Sequence, residues 1–134
     1  MTEPDILSDK VPEISTKNQL DLLLRQNRFL VLQAHASWCA PCKEISPLFR
    51  QQAEDLAVPD LLAFARFDSG TAEDIVRELG ILTLPTFVFF EDGKKVQALA
   101  GANHAALRKA VEDIKAKADA FFTSDDDDDD DNTE

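Results

Sequence analysis

The chain has two cysteines in 134 residues, and they stand two residues apart in Trp38-Cys39-Ala40-Pro41-Cys42-Lys43. Thiols at that spacing can close an internal disulfide and reopen it, so the chemistry on offer is thiol–disulfide exchange. The segment falls where an apolar run gives way to a helical pattern. At a helix start, several backbone N–H groups lack intrahelical partners and the dipole's positive end points outward, which favours a thiolate over a thiol. Cys39 is therefore the expected nucleophile. Cys42, in the first turn, is placed to attack a mixed disulfide formed at Cys39 and release the reduced partner. Pro41 suits that turn because its missing N–H would be unpaired there anyway, and its fixed angle stiffens the loop.

Other chemistries fit less well. A structural zinc site takes four ligands, and beyond the cysteines only His35 and His104 remain as soft donors, far apart in sequence, so no metal is expected. Two inert buried thiols are the bland alternative, which the strand-to-helix context disfavours. Farther along, Leu84-Pro85-Thr86 precedes a strand, and an X-Pro bond at such a bend can be either isomer.

Several elements must hold these residues in place. Val11-Pro12-Glu13-Ile14 is apolar but carries a proline, which confines it to an edge strand. Leu20, Leu23, Leu24 and Asn27 share one helical stripe that Ser15 or Thr16 can cap. Phe29 to Ala36 is too short for a typical helix and reads as a central strand buried on both faces, with Gln33 and His35 on one side. Ile45, Leu48, Phe49, Ala53 and Leu56 give a helix from about Ala40 to Ala57, which Pro47 should kink. Leu61 to Phe67 is the next strand. Thr71 and Asp74 have capping-box spacing before Ile75, Val76 and Leu79, and Gly80 is a natural stop. Thr86–Phe90 and Lys95–Ala100 flank Asp92-Gly93, a pair that takes the positive backbone angles of a tight hairpin. From Asn103 onward, Leu107, Ala110, Val111, Ile114 and Ala118 form one apolar face of a last helix. This order predicts an α/β fold: an open mixed sheet, parallel where crossovers occur and ending in a hairpin, with helices on both faces.

One domain is expected at this length. Residues 1–10 read as a flexible leader, 11–122 as the domain, and 123–134 as a disordered acidic tail whose like charges repel. Eight acids fall in residues 125–134, so of the net charge of −12 only −4 belongs to the remainder. Nucleic acid and membrane are poor partners for such a body, since both call for clustered Lys and Arg. With no signal-like start and no disulfide framework, a reducing compartment is expected, cytoplasmic and also compatible with the nucleus.

On these residues the chain resembles the thioredoxin family. The shared features are Trp38 to Lys43, Pro47, Leu84-Pro85-Thr86-Phe87, Glu91-Asp92-Gly93-Lys94 and Gly101-Ala102-Asn103, in order from about Val11 to Lys115 and spaced as in eukaryotic cytosolic members. The resemblance implies the thioredoxin fold and a monomeric reductase of protein disulfides. It implies no bound cofactor beyond the redox-active Cys39–Cys42 disulfide, with reducing equivalents from NADPH through a thioredoxin reductase-like flavoprotein. It further implies a cis Pro85 facing the cysteines, and a substrate groove made of Trp38, Ala40, Pro41, Thr83, Leu84, Pro85, Gly101 and Ala102.

One departure bears on mechanism. Six residues before the nucleophile, where thioredoxins usually bury an aspartate, this chain has Gln33, which has no proton to give or take. The familiar role of that carboxylate is to help deprotonate the resolving thiol. Either resolution is slower here, or another group assists, and His35 is the ionisable neighbour on the same strand face. Gln33 and His35 are thus the candidate proton-relay positions. Two other functions fit the same residues: a binding or adaptor module with weak redox activity, and a net oxidant or isomerase, which only a midpoint potential distinguishes from a reductase.

Overall fold

The computed structural model describes the backbone of residues 10–133 and the side chains of residues 10–121. Residues 1–9, and with them the expected leader, lie outside the described residues. Nine elements follow in the order β1 (Glu13–Ile14), α1 (Lys17–Gln26), β2 (Phe29–His35), α2 (Ala40–Leu56), β3 (Leu62–Asp68), α3 (Glu73–Leu79), β4 (Thr86–Glu91), β5 (Lys94–Ala100) and α4 (His104–Thr133). The described backbone of α4 runs through residues 123–133, where the sequence suggested a separate tail, and the side chains from residue 122 on lie outside the described residues.

The strands form one sheet in the order β1-β3-β2-β4-β5. β1 and β2 each pair parallel with β3, and β4 pairs antiparallel with β2 and β5. The mixed α/β sheet read from the sequence is therefore the observed one. Pro12 leaves β1 on the edge, as its missing N–H requires.

Alternation along β2 sends side chains to two separate cores. Phe29 and Val31 pack with Phe64, Phe87 and Phe89 beneath α2 and α4, whose buried contacts include Ile45, Phe49, Leu107 and Val111. Leu30, Leu32 and Ala34 pack on the opposite face with Leu20 of α1 and Ile75 of α3. Phe49 fixes α2 to the sheet, its ring centroid 5.6 Å from Phe64 in an edge contact and 5.3 Å from Phe87. Fully burying one such ring contributes roughly 1.5–3 kcal/mol.

Helix ends follow local chemistry with one exception. Thr16 caps α1 in a reciprocal capping box with Gln19, and Gly80 ends α3 at φ 66°. The hairpin turn places Asp92 at φ 55° and Gly93 at φ 80°. The capping box expected from Thr71 to Asp74 is not formed. Ala72 is the N-cap of α3 and makes no side-chain cap, while the Thr71 hydroxyl donates to the Asp68 carbonyl. Asp74 instead accepts from the backbone N–H of Lys17, tying the start of α1 to α3. A tertiary hydrogen bond has displaced the local one.

Candidate active site

β2 ends at His35, and a short connection delivers the chain to the first turn of α2. Cys39 is the N-cap residue of that helix, with extended backbone angles. The Cys42 backbone N–H donates to the Cys39 sulfur at 3.2 Å. The sulfur thus occupies the place where a side-chain oxygen usually satisfies an orphan amide, and the positive end of α2 lies beneath it. Cys39 and Cys42 are disulfide-bonded, with Cα atoms 5.3 Å apart. Both are buried, 4% and 2% exposed, so accessibility barely separates them. Position at the helix start does.

The surroundings in front of the pair are apolar or backbone. Trp38 is 75% exposed, and Ala40, Pro41 and Thr83 are exposed as well. Leu84 packs against Ala36, Cys39 and Cys42, and the Leu84–Pro85 peptide is cis. Two hydrogen bonds hold this bend: Thr86 Oγ1 donates to the Thr83 carbonyl at 2.7 Å, and the Gly101 N–H donates to the Pro85 carbonyl at 2.7 Å. Gly101 makes that approach at φ 97°, where a side chain would be strained. Pro85 itself is buried, and Ala102 lies half-buried against the α2–α4 core.

Behind the pair the groups are polar. Gln33 is 1% exposed. Its Nε2 donates to Ser46 Oγ at 3.0 Å, and Ser46 Oγ donates to the Cys42 carbonyl at 2.6 Å. Because the single hydroxyl proton of Ser46 is committed to that carbonyl, its oxygen accepts from Gln33, which settles the orientation of the amide. Ser46 escapes notice in the sequence, where its only signal is its position one turn after Cys42 on the face that meets Gln33. His35 pairs with Glu13, Nε2 to Oε2 at 3.1 Å, and the other oxygen of Glu13 lies 3.2 Å from Nε of Arg66. Glu13 and Arg66 lie on different strands from His35, so nothing local announces them. A cleft of about 480 Å³ adjoins Cys42 on this side, lined among others by His35, Ser46, Lys43, Arg50 and Arg66.

The chain has counterparts among known proteins. Residues 10–113 match the thioredoxin family model. The chain is 44% identical over 90 residues to thioredoxin-like protein 1 of Schizosaccharomyces pombe, covering 67% of this chain and only 31% of that protein. With the thioredoxin-like protein of Fusarium culmorum it shares 35% identity over 109 residues, 78% of this chain and 90% of that one. The solved structure of Malassezia sympodialis thioredoxin superposes with a TM-score of 0.72 at 31% identity, covering 80% of this chain and 92% of that one. The chain belongs to the thioredoxin family of thiol–disulfide oxidoreductases.

Proposed function

We propose that the chain works as a protein-disulfide reductase, with Cys39 as attacking and Cys42 as resolving thiol. The observation that carries this reading is the Cys39 sulfur at the N-cap of α2, hydrogen-bonded by the Cys42 amide. In the reduced protein the Cys39 thiolate attacks one sulfur of a partner disulfide, forming a mixed disulfide and expelling the second partner sulfur as a thiolate. Cys42 then loses its proton and attacks the Cys39 sulfur. That step breaks the mixed bond, frees the partner dithiol and leaves Cys39–Cys42 oxidised. Two electrons from NADPH, passed through a thioredoxin reductase-like flavoprotein, restore the dithiol.

The groove for the partner would combine exposed Trp38, Ala40, Pro41 and Thr83 with Leu84, Pro85, Gly101 and Ala102. Gly101 and the 83–86 bend are already bonded to each other, so this wall meets a partner without first having to be ordered. The chain would act as a monomer in a reducing compartment such as the cytoplasm. Among the described residues no helix is long and apolar enough to cross a membrane.

Disulfide reduction driven by NADPH and a thioredoxin reductase tests the proposal. Wild type should turn over, whereas Cys39→Ser and Cys42→Ser should not, and equal rates for all three would remove the reading. Buried Gln33, which cannot titrate, favours a second reading, a binding module with a weak redox cycle. Its signature would be partner capture that survives replacement of both cysteines by serine.

A further inference from the structure

The back of the redox pair poses a proton problem. When Cys42 attacks the mixed disulfide its thiol proton must leave, yet Cys42 is 2% exposed and Gln33, linked to the Cys42 carbonyl through Ser46, has no basic atom. Its amide is also spent on Ser46. The cleft beside Cys42 is the remaining outlet, and its volume of about 480 Å³ far exceeds the roughly 30 Å³ of one liquid water.

Among the residues lining that cleft, the ionisable ones besides Cys42 are His35, Lys43, Arg50 and Arg66. Protonated lysine and arginine have no lone pair to accept a proton, and among the described residues no carboxylate lines the cleft. Histidine is the side chain that exchanges a proton near neutral pH. The ionised Glu13 carboxylate can only accept, so His35 Nε2 carries the hydrogen of their 3.1 Å contact. That leaves Nδ1 with the basic lone pair. The charges around the ring come from three elements: Glu13 on β1, Arg66 and Asp68 on β3, with Asp68 opposite His35 in register, and Lys43 and Arg50 on α2, bordering the cleft. The carboxylates can stabilise an imidazolium as it forms, and the cationic cleft can stabilise the sulfur as it becomes negative.

We infer that His35, held by Glu13, takes the Cys42 thiol proton through water in the cleft behind the disulfide, while the Gln33–Ser46 pair holds the Cys42 carbonyl in place. The Cys42–H bond breaks as the Cys42–Cys39 bond forms, the partner sulfur leaves with the electron pair, and the imidazolium returns its proton to that thiolate or to solvent. This inference rests on the reductase reading, and it makes His35 a proton-transfer residue specific to resolution.

The test is the reaction of fully reduced protein with 5,5′-dithiobis(2-nitrobenzoate), followed by stopped flow. Attack by Cys39 releases one thionitrobenzoate at a rate set by reagent concentration. Ring closure by Cys42 releases the second at a rate independent of it. In His35→Gln the first phase should change less than about twofold. The second should slow by roughly tenfold to a hundredfold near neutral pH, toward the general-base range, and its pH profile should change. Added imidazole should restore the second phase of His35→Ala, and Gln33→Asp should restore it in the His35→Gln background. A second phase unchanged in rate and pH profile would overturn the inference. So would an equal loss of both phases without rescue, since that marks a merely structural role. If wild type shows no concentration-independent second phase, the reductase reading itself falls, and this inference with it.

Discussion

The two sides of the disulfide are built from different material. In front lie exposed Trp38, the bend at Thr83 to Thr86, and Leu84 against the cluster of Ala36, Cys39 and Cys42. Behind lie Gln33, hydrogen-bonded to Ser46, and His35, hydrogen-bonded to Glu13, which also pairs with Arg66. On the proposed function, the difference matches what each side would do. A face that meets large partners gains from exposed apolar surface and prearranged backbone, because burying them on contact is favourable and little has to be ordered. A face that handles a proton needs polar groups away from bulk water, and each must then have a partner, since an unpaired buried donor costs the full desolvation penalty.

The largest effects should come from the sulfurs that stand between the two sides. Cys39→Ser should abolish partner reduction and partner capture together. Cys42→Ser should abolish turnover but accumulate a partner–Cys39 mixed disulfide, visible on non-reducing gels and removed by dithiothreitol. If Cys39→Ser captured partners as well, front and back would have exchanged roles, and the placement of the nucleophile at the helix start would be wrong.

Next in size is a break on the rear side. Ser46→Ala leaves the Gln33 amide buried without its acceptor, and a stranded buried donor costs roughly 1–3 kcal/mol. Urea titration should show that loss as a lower midpoint at constant slope. The double variant Ser46→Ala with Gln33→Leu removes both partners and should recover much of it, a non-additivity that a simple packing defect would not produce.

How far these two sides were legible in the sequence differs in the same way. β2, the cysteine turn and α2 follow from an apolar run of strand length and a three- and four-residue repeat, both local, and the fold they imply is the one observed. Trp38 and the Leu84–Pro85 bend were legible too, since Trp38 adjoins Cys39 and the bend has its own punctuation. The rear side was half legible. Strand alternation puts Gln33 and His35 on one face, but Glu13 lies 22 residues from His35 in the chain, and Arg66 reaches it only because β3 separates β1 from β2 in the sheet. Ser46 was invisible because a serine inside a helix most often bonds its own turn. Here it does so and accepts from Gln33 as well. Thr71 and Asp74 show the converse, a correct local spacing whose carboxylate found a better partner in α1.

The smallest effects belong to the front surface and test whether it is a docking wall or only a cover. Trp38→Ala should lower kcat/KM for protein disulfides by about tenfold, corresponding to about 1.4 kcal/mol of lost contact. It should move stability by no more than about 0.5 kcal/mol, because so exposed a ring contributes little to the folded core. Leu82, 96% exposed just before Thr83 and Leu84, lies at the margin of the same surface. Apolar burial there would be partial, so Leu82→Ser should cost only about threefold, well under the 1.5–3 kcal/mol of a fully buried leucine. The informative control is a small aromatic disulfide, which reaches Cys39 without covering Leu82. The Leu82→Ser rate with that reagent should match wild type. An equal loss on small and large substrates would mean that Leu82 acts by shaping the bend against the cysteines, and the front side would then be part of the chemistry instead of a surface laid beside it.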